Sequence, residues 1–259
     1  MSSSPPVVLS FAASDPTCGA GVQADILTIA AMGCIPVCVV TALTVQDTRG
    51  VEGALPVQSN WVEEQARCLL HDLQVSAFKL GVMGSRDNVQ VVSRILRDYA
   101  DIPVVLDPVL ASGRGDPLAS DDTAQALLEL IVPRTTVATP NTLEAARLGG
   151  AQRLLELGAR YVLVTGTHAR TGEEVVNALH DRGGLVREDR WPRLHGEFHG
   201  SGCTLAAAIA AGLGRGHDAP QAVREAQEFT WQALAAAHRT GGGQSIPNRF
   251  FRVGNPCTS

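Results

Sequence analysis

His199-Gly200-Ser201-Gly202-Cys203-Thr204 stands directly before Leu205-Ala206-Ala207-Ala208-Ile209-Ala210-Ala211, a run of strong helix formers. Free N–H groups at a helix start point outward, and the macrodipole makes that end positive. Glycines there let an anion such as a phosphoryl group approach the backbone closely. Gly200, Ser201 and Gly202 therefore read as an anion hole. Cys203, in the first turn, reads as a thiol of lowered pKa, usable as a base or nucleophile. The plain alternative is a cysteine buried in a packed Ala-rich helix; the Gly-x-Gly turn favours the functional reading.

A second glycine-rich turn, Gly19-Ala20-Gly21-Val22-Gln23-Ala24, matches the GxGxxG/A spacing of dinucleotide-binding turns. Ser14 to Cys18 separates it from the preceding strand, where that fingerprint needs a tight turn. The next strand ends in Thr44-Val45-Gln46, without the acid that holds a ribose hydroxyl. A turn cradling a substrate, with Gly21 in contact, is the better reading. Of 21 basic residues 20 are Arg, and the single lysine is Lys79. No GK[ST] occurs, so a Walker P-loop is absent. His168, His195 and His199 fit no metal-ligand spacing and read as polar loop residues; Trp61, Trp191 and Trp231 read as core.

These residues need a frame, and the apolar pattern supplies one. Strand-like runs at 7–13, 35–43, 77–82, 103–106, 136–138 and 161–164 alternate with helical stretches at 19–32, 61–73, 88–99 and 121–131. Residues 174–180 and 185–191 form a predicted hairpin, and 201–213 and 220–237 two further helices. Continuous apolar strands between amphipathic helices predict a mostly parallel sheet covered on both faces, an α/β/α fold. No linker or repeat divides the chain, so residues 1–259 read as one domain, with a tail at 1–6 and a C-terminal loop at 240–259. Ligands of such sheets bind beyond the carboxyl ends of the strands, here Asp15, Gln46, Met83, Asp107, Asn141 and Thr165.

Composition removes other classes. With net charge −5 and no basic stripe, nucleic acid is not an expected partner. No apolar run reaches the ~20 residues of a membrane span, and the N-terminus lacks the charged start of a secretion signal. Six cysteines without CxxC or Cys-His spacing suit reduced thiols in the cytoplasm.

Seven segments occur in order over nearly the whole chain: AASDPTCGAGVQAD (12–25), VVTALTVQDT (39–48), KLGVM (79–83), VVLDPV (104–109), TPNTLEA (139–145), VLVTGTH (162–168) and HGSGCTLAAAIAAG (199–212). Together they resemble the hydroxymethylpyrimidine/phosphomethylpyrimidine kinases of the ribokinase superfamily. The resemblance implies a ribokinase-like fold and two successive ATP-dependent phosphorylations. The first is of 4-amino-5-hydroxymethyl-2-methylpyrimidine and the second of its monophosphate, in thiamine diphosphate biosynthesis. It implies ATP and Mg²⁺ as cofactors and a homodimer as the assembly. Cys203 would deprotonate or polarise the substrate hydroxyl. Gln46 would read the aminopyrimidine edge, since a carboxamide both accepts and donates. Asp25 would contact substrate, and Met83 and Val109 would wall the ring. Asp107 and Glu144, the latter closing the superfamily's Asn141-x-x-Glu144 pattern, would hold Mg²⁺. Asn141, Thr165, Thr167 and Arg114 would meet the nucleotide.

Three departures fall on the nucleotide side. Thr165 stands where relatives often carry Lys. The loop at 110–116 offers Arg114 in place of a Lys-Ser-Gly. The stretch between Leu148 and Tyr161 is about ten residues short. Two neighbouring readings share most motifs: a pyridoxal kinase, and a non-catalytic pyrimidine-binding homologue.

Overall fold

Alternation hidden within the apolar runs builds two layers of core. The computed structural model describes residues 4–111, 115, 118–167 and 172–252. In β1 (Val7–Ser14), Leu9 and Phe11 face one core and Val8 the other. β5 (Val104–Leu106) repeats this, with Val104 and Leu106 on the first side and Val105 on the second. Side chains alternate across a strand, so a strand apolar at every position must be covered on both faces.

The remaining elements follow from that demand. They are α1 (Gly21–Ala31), β2 (Ile35–Gln46), β3 (Val51–Pro56), α2 (Ser59–Asp72), β4 (Val75–Leu80), α3 (Arg86–Asp98), α4 (Asp121–Ala126) and β6 (Val137–Ala138). Then come α5 (Thr142–Arg147), α6 (Gly150–Leu157), β7 (Tyr161–Thr165), β8 (Glu174–Asp181), β9 (Gly184–Pro192), α7 (Ser201–Gly214) and α8 (Ala219–Ala235). Among the described residues one nine-stranded sheet runs in the order β3-β2-β1-β4-β5-β6-β7-β8-β9. The strands from β2 through β7 in that row pair in parallel, while β3, β8 and β9 are antiparallel additions at the edges. The chain moves outward from β1 to β2 and then returns to β4 on β1's other side. That reversal is where open α/β sheets leave a crevice at their carboxyl ends.

α7 is buried from Thr204 to Leu213, pressed between the sheet and α8. A helix apolar all round belongs in an interior, and its alanines allow close approach: a Cβ on Gly212 would lie 2.9 Å from Ala222 Cβ.

Four predicted details change. β3 was not expected, because Val51-Glu52-Gly53-Ala54-Leu55-Pro56 carries a glycine and a proline that an edge strand tolerates. α5 and α6 fill the segment read only as a shortened helical region. The helix predicted over 121–131 widens to a π-helical turn at Leu127–Ile131. The C-terminal loop is bridged into the body through Phe198 with Ser245 and His238 with Ile246. No helix among the described residues is long and apolar enough to cross a membrane.

Candidate active site

The carboxyl ends of the parallel strands open into one cavity of about 550 Å³. Ser14 ending β1, Asp15 just after it, Gln46 ending β2, Asp107 after β5, Asn141 after β6 and Thr165 ending β7 all line it. Both glycine-rich turns close it from above: Gly21, and Gly200 through Cys203, are on its wall. Val109, Glu144 and Thr167 are there too.

The turn read as an anion hole opens α7. Gly200 is the N-cap of α7 in left-handed conformation (φ 81°), and no side chain caps the helix. A Cβ at Gly200 would run into the carbonyl oxygen of Gly19, so at this point the two turns meet backbone to backbone. A Cβ on Gly202 would lie 3.5 Å from Asp107 Oδ2, which sets the hole beside that carboxylate.

Cys203 departs from expectation. Burial drives its thiol up to about 12, and together with the negative charges of Asp107 and Asp25 it outweighs Lys79 and the Gly21 N–H. A helix N-terminus lowers a thiol pKa only where desolvation and neighbouring carboxylates do not exceed it. Cys203 is therefore a neutral thiol beside Asp107. Asp107 itself is raised to about 6 by burial, with Lys79 pulling down and Asp25 pushing up. Glu144 is raised to about 8, by burial and then by Asp107. Its Oε2 also accepts from the Asn141 N–H at 2.9 Å, closing a capping box in which Asn141 Oδ1 accepts from Leu143 and Glu144.

Asp25 and Met83 fall elsewhere. Asp25 is fully buried, takes hydrogen bonds from Ser10 Oγ and Lys79 Nζ (2.9 Å), and does not line the cavity. The single lysine lies on the cavity wall, where burial works against its charge but the Asp25 and Asp107 carboxylates hold it above the ordinary lysine range. Met83 is buried core, and Val82 lines the cavity in its place. Arg114 lies outside the described residues.

Three features escaped the sequence reading. His199 is not an idle loop residue: it lines the cavity, and its Nε2 lies 2.7 Å from Asp15 Oδ2. Lys79 reaches the cavity beside Asp25 and Asp107, and its solitary place in an apolar strand was a usable signal. At the far end Trp191 and Trp231 line the cavity, rings 6.4 Å apart and near parallel, while Trp61 is 57% exposed rather than core. Thr230 Oγ1, buried beside them, has no hydrogen-bond partner among the described residues.

Among the described residues no three His, Cys, Asp or Glu side chains group as a metal cage. Asp107 and Glu144 on one cavity, with Asp107 Oδ2 buried and without a hydrogen-bond partner among the described residues, do fit a cation that keeps its water and shares phosphate oxygens.

The family model for phosphomethylpyrimidine kinase matches residues 15–248. The hydroxymethylpyrimidine/phosphomethylpyrimidine kinase of Streptomyces coelicolor is 39% identical over 92% of this chain and 92% of its own. The ADP complex of Bacillus subtilis pyridoxal kinase superposes with a TM-score of 0.89 at 26% identity, covering 97% of this chain and 100% of that one. The phosphomethylpyrimidine kinase of Clostridium difficile superposes at 0.76, also at 26% identity, over 88% and 99%.

Proposed function

The chain belongs to the phosphomethylpyrimidine kinase family, and from that membership we propose that it transfers the γ-phosphoryl of ATP to 4-amino-5-hydroxymethyl-2-methylpyrimidine and then to its monophosphate, for thiamine diphosphate biosynthesis. The observation that carries this reading is one cavity lined by Gln46, the Asp107–Cys203 pair, Glu144 and the uncapped α7 start.

Phosphoryl transfer asks a protein for alignment and charge stabilisation more than covalent chemistry. Gln46 holds the ring by its amino group and adjacent nitrogen, with Val109 as an apolar wall. The hydroxymethyl group then points at Cys203. Its proton passes to the Cys203–Asp107 pair and rests on Asp107, whose pKa near neutrality suits a proton acceptor. The amides of residues 200–203 bind the charge that grows on the transferring group. Lys79, fixed below by Asp25, balances the buried carboxylates. Asp107 and Glu144 would hold Mg²⁺ through water, and the ion would neutralise phosphate charge. Asn141, Thr165 and Thr167 flank the phosphates; Trp191, Thr230 and Trp231 suit the flat nucleobase.

The whole chain acts as one kinase domain in the cytoplasm, as a homodimer. The strand pair β2–β3 supports the dimer. Thr44, Gln46 and Val51 face the cavity, while Leu43, Val45 and Leu55 alternate onto an outer face with exposures of 52%, 64% and 66%.

A second reading, pyridoxal phosphorylation, is favoured by the likeness to the B. subtilis pyridoxal kinase. Incubation with ATP, Mg²⁺ and either alcohol separates the two, with ADP and phosphorylated product followed. The pyrimidine is the expected substrate, and Gln46→Leu should lower its kcat/KM at least ~10-fold more than that of pyridoxal. Turnover of pyridoxal alone would replace the first reading by the second. ADP release with neither would sink both.

A further inference from the structure

A buried cation without a carboxylate lies behind the anion hole. Arg249, on the C-terminal segment beyond α8, is 3% exposed and does not line the cavity. Its Nη2 donates to the Gly19 carbonyl at 2.6 Å and its Nη1 to the Cys18 carbonyl at 3.3 Å. Nε and Nη2 both donate to Thr204 Oγ1, at 3.2 and 3.0 Å. Among the described residues no carboxylate lies within ion-pair distance of it.

The same peptides are gripped from the opposite side by an anion. Asp15 Oδ2 accepts from the Ala20 N–H at 2.7 Å. Thr17 Oγ1 accepts from the Gly19 N–H at 3.1 Å while hydrogen-bonded to the Asp15 carboxylate. The peptide units 18–19 and 19–20 thus turn their carbonyls to Arg249 and their N–H groups to the Asp15 side. Their dipoles lie along the line from carboxylate to guanidinium. Both charged groups also reach the second turn. His199 Nε2 is 2.7 Å from Asp15 Oδ2, and Thr204 Oγ1, which accepts from Arg249, donates to the Gly200 carbonyl at 2.8 Å. The hole at residues 200–203 is therefore tied at one end to Asp15 and at the other to Arg249.

Stability alone does not account for this arrangement. A buried charge hydrogen-bonded only to neutral oxygens is costly, and apolar residues of similar volume often replace such groups without loss. We propose that Arg249 is a positioning residue for phosphoryl transfer, clamping with Asp15 the two glycine-rich turns so that the amides of residues 200–203 keep their aim at the transferring group. The proposal rests on the kinase reading. Arg249 touches no reacting atom; it acts through Gly19 and Thr204. Its planar fork reaches three oxygens at once, a geometry that an ammonium does not reproduce.

The test compares full-length wild type, Arg249→Met and Arg249→Lys with ATP, Mg²⁺ and the hydroxymethylpyrimidine, alongside urea unfolding. Misaligned transition-state donors cost kcat at ~100-fold scale. Arg249→Met should lose about 100-fold in kcat, hold both KM values within about threefold and still unfold cooperatively. Arg249→Lys, retaining charge and part of the hydrogen bonding, should recover about tenfold. Should Arg249→Met fail to fold, the same kcat-against-KM split is read on Thr204→Val, which removes the shared oxygen and leaves Arg249 in place. An unchanged kcat, or a loss carried by KM alone, overturns the proposal while wild-type turnover leaves the kinase reading standing. An inactive wild type removes the kinase reading and the proposal with it.

Discussion

Cys203 occupies a position where two electrostatic effects oppose each other. The α7 start favours thiolate, whereas burial among Asp107 and Asp25 favours thiol, and the second effect wins. Chloroacetamide at pH 7 should therefore alkylate the exposed Cys18 and Cys68 well before Cys203, as read by peptide mass spectrometry; early labelling of Cys203 would contradict the neutral-thiol assignment. Cys203→Ala should still cost ~100-fold or more in kcat, because in the proposed mechanism Cys203 stands between the alcohol and Asp107. Asp15 shows the opposite balance. Burial works to raise its pKa, but bonding to His199 and to the N–H groups of Thr17 and Ala20 brings it down to about 2. A folded-state value below the unfolded 3.8 means that folding favours the carboxylate. Its contribution is present above about pH 4 and lost as pH falls through about 2, with a size of about 2 kcal/mol. The urea-unfolding gap between wild type and Asp15→Asn should narrow by that amount between pH 5 and pH 2. A constant gap would remove the linkage.

Elements set these side chains to work through a few backbone contacts. Gly200 must be left-handed and must touch the Gly19 carbonyl, so Gly200→Ala combines conformational strain with a clash. Strain of this kind costs ~1–3 kcal/mol and the clash adds to it. Activity should fall to background, with the urea midpoint lowered; a variant of wild-type stability and rate would show that the two turns need not meet. The sequence was legible wherever a long element had its own period. α3, α7 and the central strands all lie within a few residues of their predicted bounds. It was least legible in β3, α5 and α6, which are short and hold their shape by pairing or capping rather than by pattern.

At the scale of the molecule, the sheet carries one strand pair whose two faces have different uses. Leu43, Val45 and Leu55 leave an apolar area on the outside of β2–β3, and among the described residues β3 is the sheet's edge strand, the place where the proposed dimer would bring another copy. Leu55→Asp together with Val45→Asp should shift the sedimenting species from dimer to monomer and, because Gln46 follows on the same strand, raise the KM of the alcohol. A wild type that sediments as a monomer would dispose of the dimer.

The sequence by itself determined the layered architecture, the family and the two glycine-rich turns, because apolar periodicity and short backbone motifs are local properties of the chain. It also named the polar strand-end residues Asp15, Gln46, Asp107, Asn141 and Thr165 that line the cavity, since strand ends are readable from strand patterns. Only the tertiary structure decided which charges face one another. Asp25 became the buried partner of Lys79, His199 the partner of Asp15, and Arg249 the support of a turn 230 residues before it. A side chain's protonation and role depend on desolvation and on neighbours brought from distant segments, and neither is written in its local sequence.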